Sequence, residues 1–216
     1  MGVPSRVRGI GPGSYVSPRT VEVIGEGPYS LLMLEGLLNK GVNVTHYVVK
    51  DKPDAEVSDI DIRTFSTARG LSRVIGNADY SVVFSLGLRI PDSAIDKLGG
   101  KLLNIHTSLL PEFRGVADPI KEIVAQKREY GGVSVHEVGA RLDYGDILGQ
   151  MRFELKPTPK LHRHTPRFVD LVYTRSAIPA GAELFTNVLK NIDKIVPVSQ
   201  SDLLDVPVLS ISRPKK

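Results

Sequence analysis

Residues 80–106 read YSVVFSLGLRIPDSAIDKLGGKLLNIH. Tyr80–Leu86 is a nearly continuous apolar run of strand length, the pattern of a strand buried on both faces in the middle of a parallel sheet. Pro91–Leu98 follows as a short helix with proline at its start, where a missing N–H is no loss. Leu102–His106 is strand-like again. A strand, a crossover helix and a further strand form the unit from which parallel sheets are built.

The same alternation extends toward the N-terminus. Val21–Ile24 reads as a first strand and runs into Gly25-Glu26-Gly27-Pro28. Leu31, Leu34 and Leu38 then recur at helical spacing, so Tyr29–Leu38 is expected to be a helix, stopped by Asn39-Lys40-Gly41. Val42–Val49 is a second strand, Ile60–Phe65 a short third, and Thr67–Ile75 a weak helix. The expected fold is α/β: a doubly wound, mainly parallel, twisted sheet of the Rossmann-like type. Downstream come a loop at Leu110–Gly115 and a helix near Pro119–Gln126. The strands Gly132–Val138 and Ile147–Leu155 are then able to pair, and a last helix spans Arg167–Ile192, interrupted near Pro179.

The length of 216 residues suits one folded domain, with 41% hydrophobic and 24% charged residues as in ordinary globular chains. The expected organisation is a basic, flexible leader at 1–19, a domain at 20–195 and a polar tail at 196–216. The absence of cysteine excludes disulfides and thiol chemistry. No stretch has the length and apolarity of a membrane span or a signal peptide, so the expected location is cytoplasmic. The net charge of +4 invites a nucleic-acid reading. Its distribution opposes that reading, because Arg6, Arg8, Arg19, Arg213, Lys215 and Lys216 lie in the tails. Without those six, 22 basic side chains face 24 acidic ones.

Two features carry chemistry. Asn104 and His106 are two apart on one strand, so their side chains share a face, at the end of a strand where open α/β sheets place their sites. An amide beside an imidazole suits acyl transfer: the amide stabilises an oxyanion and the imidazole moves a proton. The pair would equally satisfy backbone groups at a strand end. The second feature, Gly139-Ala140-Arg141-Leu142-Asp143-Tyr144-Gly145-Asp146, is either a turn or a loop that brings a carboxylate to His106, orienting it and raising its pKa. His162-x-His164 has the spacing of a metal pair but no third ligand nearby, so no metal is expected.

Leu103-Asn104-Ile105-His106-Thr107-Ser108-Leu109-Leu110-Pro111, with Phe113-Arg114-Gly115, resembles the signature of the folate-dependent formyltransferases. Gly132-Val133-Ser134-Val135-His136 and Leu142-Asp143-Tyr144-Gly145-Asp146-Ile147-Leu148 resemble that family's second block. The resemblance is strong over about Tyr80–Gln150 and faint beyond. It implies a catalytic domain at 20–195, a catalytic trio of Asn104, His106 and Asp143, and 10-formyltetrahydrofolate as co-substrate. Protonated His106 and Asn104 would stabilise the intermediate's oxygen. His46, His136, His162 and His164 fall outside the trio. The folate pocket it implies is formed by Leu86, Leu88, Arg89 and Ile90, by Ser108, Leu109, Leu110 and Pro111, and by Gly139, Ala140 and Leu142.

The acceptor amine is expected at Gly25, Gly27 and Tyr29. In the glycinamide ribonucleotide enzymes the corresponding loop donates N–H groups to a phosphate. Here Pro28 has no N–H, and Glu26 adds negative charge. Tyr29, the Gly87-Leu88-Arg89-Ile90-Pro91 run and the stretch from Arg114-Gly115 to Asp118-Pro119-Ile120 resemble instead the tRNA and sugar enzymes, as does Ser212-Arg213-Pro214. A small amine, an amino-sugar nucleotide first, is the expected partner. Methionyl-tRNA is the alternative acceptor, on a core lacking the C-terminal domain, followed by glycinamide ribonucleotide. Water as acceptor would make the chain a 10-formyltetrahydrofolate hydrolase. No membrane partner is expected, and the sequence sets no oligomeric state.

Overall fold

The computed structural model describes residues 6–7, 18–51, 56–57, 59–155 and 166–205. The strands of the main sheet are β1 (Thr20–Gly25), β2 (Asn43–Lys50), β3 (Asp61–Phe65), β4 (Tyr80–Phe84), β5 (Leu102–His106), β6 (Tyr130–Glu137) and β7 (Ile147–Glu154). They are hydrogen-bonded in the order β3-β2-β1-β4-β5-β6-β7. Neighbours from β3 to β5 pair in parallel, and β6 pairs antiparallel with β7. The helices are α1 (Gly27–Asn39), α2 (Ala68–Val74), α3 (Asp92–Leu98), α4 (Pro119–Ala125), α5 (Pro166–Val172) and α6 (Ile178–Asn191). The expected α/β fold with a mainly parallel sheet is what the chain forms. A separate parallel pair joins Arg6–Val7 to Glu56–Val57, a strand that the reading of residues 1–19 as a loose leader did not contain.

The chain divides into two compact units, Met1–Asn104 with Glu137–Ala140, and Ile105–His136 with Arg141–Lys216. In the first, Ile24, Val48, Phe65, Leu71, Ile75, Val83, Ile90, Ala94 and Leu102 form one buried cluster. Each fully buried side chain of this kind contributes about 1.5–3 kcal/mol. Glu22, also fully buried on β1, breaks the apolar pattern. A buried carboxylate is tolerated only when hydrogen-bonded. Glu22 accepts from the Gly76 N–H at 2.6 Å and from the Ser81 hydroxyl, tying β1 to β4 and to the turn after α2.

Two strand boundaries differ from expectation. The strand expected to reach Leu86 ends at Phe84, because Ser85 takes φ +54°, outside any strand conformation. The strand expected from Gly132 begins at Tyr130 and contains two glycines. They are there for close approach: a Cβ on Gly132 would meet Leu109 Cδ2 at 2.4 Å, and one on Gly131 would meet Phe153 Cε2 at 2.6 Å. In the second unit the last helix is split by a π turn at Tyr173–Ala177. Pro179 lacks an N–H, and its ring would collide with the carbonyl four residues earlier, that of Arg175. The wider turn around Arg175 relieves that collision.

Candidate active site

β5 carries Asn104 and His106 on one face, two residues apart, with Asn104 in register with Val83 of β4. Asn104 is half-buried and His106 buried. The segment after His106 is knitted into a fixed loop. Ser108 Oγ donates to the Glu112 carbonyl at 2.7 Å, and Leu110 N donates to Ser134 Oγ at 3.0 Å. Ser134 Oγ in turn donates to the Ser108 carbonyl at 2.7 Å, and Gln150 Nε2 to the Leu110 carbonyl at 2.7 Å. The Leu110–Pro111 peptide is cis.

Asp143 is buried and held in the left-handed region at φ +59°. Its Oδ2 accepts from the Gly115 N–H at 3.0 Å. Its Oδ1 lies 3.7 Å from His106 Nδ1 and 3.7 Å from His136 Nε2. The two imidazoles meet edge to face with ring centroids 6.3 Å apart. His106 Nε2 is buried and has no hydrogen-bond partner among the described residues.

Burial pushes the His106 pKa below its ordinary value of 6.5, against the upward pull of the Asp143 carboxylate and of the Phe113 backbone carbonyl. The carboxylate acts upward, as expected, and the net shift is nevertheless downward. Nearly complete desolvation of an imidazolium outweighs one carboxylate beyond hydrogen-bond distance. The shift favours the neutral imidazole, whose Nδ1 side is turned to Asp143.

Around this centre stand groups that the motifs did not single out. Gln200, 3% exposed, donates from Nε2 to the carbonyls of Asp143 and Gly145, each at 2.8 Å. Arg114 Nε donates to Gln200 Oε1 at 2.9 Å. The Arg114 and Arg141 guanidinium carbons lie 4.0 and 3.9 Å from the Tyr144 ring centroid. The hydrogen bond from Arg114 and the charge of Arg141 hold the exposed Tyr144 phenol below its ordinary pKa. Neither arginine has a carboxylate at ion-pair distance among the described residues.

The other expected site residues are distributed as follows. Leu86 and Leu88 are half-buried against the first unit's core, Ile90 is inside it, and Arg89 donates to the Ala140 carbonyl at 3.2 Å. Ala140 and Leu142 are exposed, Gly139 and Pro111 half-buried, and Ser108, Leu109 and Leu110 buried. Gly25 is buried where a Cβ would meet the Phe84 carbonyl at 2.4 Å, a packing reason for glycine independent of any ligand. Gly27 takes φ +69° in open space, and Tyr29 is half-buried. Glu26, at the N-terminus of α1, accepts from the Gly87 N–H at 3.0 Å and pairs with Lys50 at 2.9 Å. His162, His164 and Ser212-Arg213-Pro214 lie outside the described residues.

Residues 72–174 match the model of the formyl transferase family. That span of the chain belongs to the family. Among curated relatives, it is 34% identical over 152 residues to the methionyl-tRNA formyltransferase of Rickettsia bellii (strain RML369-C), covering 68% of this chain and 47% of that protein. The chain spans less than half the length of the first curated relatives it matches. Among solved structures, the glycinamide ribonucleotide transformylase 1 of Symbiobacterium toebii superposes with a TM-score of 0.65 at 15% identity, over 84% of this chain and 94% of that one. A formyltetrahydrofolate deformylase of Pseudomonas putida KT2440 gives 0.60 at 19% identity, over 82% and 65%. At those identities the likeness speaks for the fold alone. The matched formyl transferase span contains Asn104, His106, His136 and Asp143 and excludes Gln200.

His136, expected outside the trio, carries a legible signal of its own. Ser134 and His136 are polar residues two apart on an otherwise apolar buried strand, and the bulge between Val135 and His136 re-aims the imidazole. A lone glutamine in a polar segment, such as Gln200, carried none.

Proposed function

We propose that this formyl transferase domain moves a formyl group from 10-formyltetrahydrofolate to an amine, with Asn104, His106 and Asp143 as the groups that act. The observation that carries this is His106: a buried imidazole with Nδ1 toward a buried carboxylate and an Nε2 that has no partner among the described residues. Such an atom fits a reacting group that arrives with the substrates.

The folate supplies the formyl carbon that the amine attacks. His106 Nε2 accepts the proton that the attacking nitrogen must lose and passes it to the folate nitrogen as that nitrogen's bond to the formyl carbon breaks, releasing tetrahydrofolate; Asp143 stabilises the imidazolium formed between the two transfers. Proton transfer of this kind contributes roughly 10²–10⁴-fold. Asn104, one strand repeat before His106, offers its amide to the oxygen that gains charge. Leu86, Leu88, Arg89 and Ile90 with Gly139 and Ala140 are the residues proposed to hold the folate. The Arg89–Ala140 hydrogen bond, which fixes one segment to the other, supports that assignment.

For the acceptor we propose a small phosphate-bearing amine, an amino-sugar nucleotide first. Two observations support it. Glu26 sets a carboxylate at the N-terminus of α1 with Pro28 beside it, which disfavours an anion there. Arg114 and Arg141 flank Tyr144 as cations without described carboxylate partners, and guanidinium groups suit phosphate. Methionyl-tRNA is the second reading, favoured by the curated relatives, which bear that name.

The test is release of tetrahydrofolate from 10-formyltetrahydrofolate with amino-sugar nucleotides, methionyl-tRNA or glycinamide ribonucleotide present in turn. Release with an amino-sugar nucleotide is the expected result, and release with another member reassigns the acceptor. Release with no acceptor makes the chain a hydrolase, and failure to bind folate overturns the proposal.

A further inference from the structure

Gln200 lies outside the matched family span, yet its side chain is fully employed. Both Nε2 hydrogens are donated, to the Asp143 and Gly145 carbonyls, and Oε1 accepts from Arg114. An antiparallel bridge delivers it there: Ile147 and Val198 exchange two backbone hydrogen bonds, each 2.9 Å. We propose that Gln200 is a positioning residue for Asp143, fixing the backbone of the 143–145 turn so that the carboxylate faces His106. This rests on the roles given to Asp143 and His106 under Proposed function.

The case is a closed circuit of contacts. Gln200 Oε1 holds Arg114, the next residue is Gly115, the Gly115 N–H holds Asp143 Oδ2, and the Asp143 carbonyl holds Gln200 Nε2. Asp143 therefore has its carboxylate and its carbonyl fixed by two partners that are themselves linked. That matters because a non-glycine residue at φ +59° persists only where its surroundings over-determine it. One amide orients the peptide planes after Asp143 and after Gly145, on both sides of Tyr144. Without it, the Asp143 backbone loses the bond at its carbonyl, and the carboxylate is left to the Gly115 N–H and the facing imidazoles on a turn that is no longer fixed.

The variant to make is Gln200→Leu, which keeps the volume and removes all three hydrogen bonds. The first readout is an NMR titration of the His106 ring in the full chain. The titratable groups facing that ring are Asp143 and His136, and the Phe113 carbonyl meets it as well. Loss of a well-placed Asp143 removes an upward influence, so the His106 pKa is expected below that of wild type, toward the value in Asp143→Asn. The second readout is kcat for tetrahydrofolate release, expected to fall by about 10-fold to 10²-fold, the scale of a misplaced catalytic group, with the folate KM little changed. Gln200→Glu keeps the size and the partner for Arg114 but sets an oxygen against both carbonyls. It should reproduce both changes, and it serves if the leucine variant does not fold.

Folded variants with wild-type His106 titration and kcat, differing only in melting temperature, overturn the proposal. If wild type itself transfers no formyl group, the enzymatic reading fails, and the His106 titration still decides whether Gln200 positions Asp143.

Discussion

His136 Nε2 stands 3.7 Å from the same Asp143 oxygen that faces His106 Nδ1, so a single buried carboxylate oxygen serves two buried imidazoles. With Oδ2 taken by the Gly115 N–H, His136 helps hold Asp143 in place. His136→Asn is expected to lower kcat by about tenfold, within the range for a displaced group, and less than loss of His106 does. Steady-state rates for both variants, measured alongside wild type, check this ordering.

The depressed His106 pKa sets the pH behaviour. The folded state favours neutral imidazole, and the unfolded chain titrates near 6.5. The contribution to stability is therefore fully present above 6.5 and is lost as pH falls through the lower folded value. Denaturant titrations below pH 6.5 should show wild type losing stability with falling pH more steeply than His106→Asn. The acid limb of kcat/KM should likewise lie below 6.5, since Nε2 must be unprotonated to accept. An acid limb at or above that value would mean that another group governs the rate.

Arg141→Ala is expected to raise the KM of a phosphate-bearing acceptor about tenfold, the equivalent of about 1.4 kcal/mol, while the folate KM stays put. The difference should shrink as salt is added, because both arginines flank an exposed ring. Acceptor KM measured at low and at high salt tests both statements.

Packing makes a separate prediction. Gly132→Ala places a methyl 2.4 Å from Leu109 Cδ2 and should destabilise the protein by about 1–3 kcal/mol. Gly139→Ala meets nothing within 4 Å and should change stability by less than about 0.5 kcal/mol. Urea unfolding of the pair measures the contrast.

The alternation of strands and helices was legible because buried parallel strands write continuous apolar runs, as in Tyr80–Phe84 and Leu102–His106. The ends were not. Ser85 leaves the strand by a left-handed backbone, which no apolar pattern encodes, and the glycines of β6 are set by Leu109 and Phe153, partners distant in sequence. Asn104, His106 and Asp143 were singled out on strand alternation and motif resemblance. That Asp143 reaches His106 follows from tertiary contacts made by Gly115 and Gln200. The net direction of the His106 shift was not legible, because desolvation depends on burial, which neither the strand pattern nor the motif reports. Gln200 stayed hidden because its role lies entirely in three long-range hydrogen bonds.

The most direct test of formyl transfer through His106 compares wild type with His106→Asn in tetrahydrofolate release, with folate binding measured on both proteins. Expected is a rate reduced by at least about 10²-fold with folate affinity retained. A folded His106→Asn protein that turns over at the wild-type rate would contradict it.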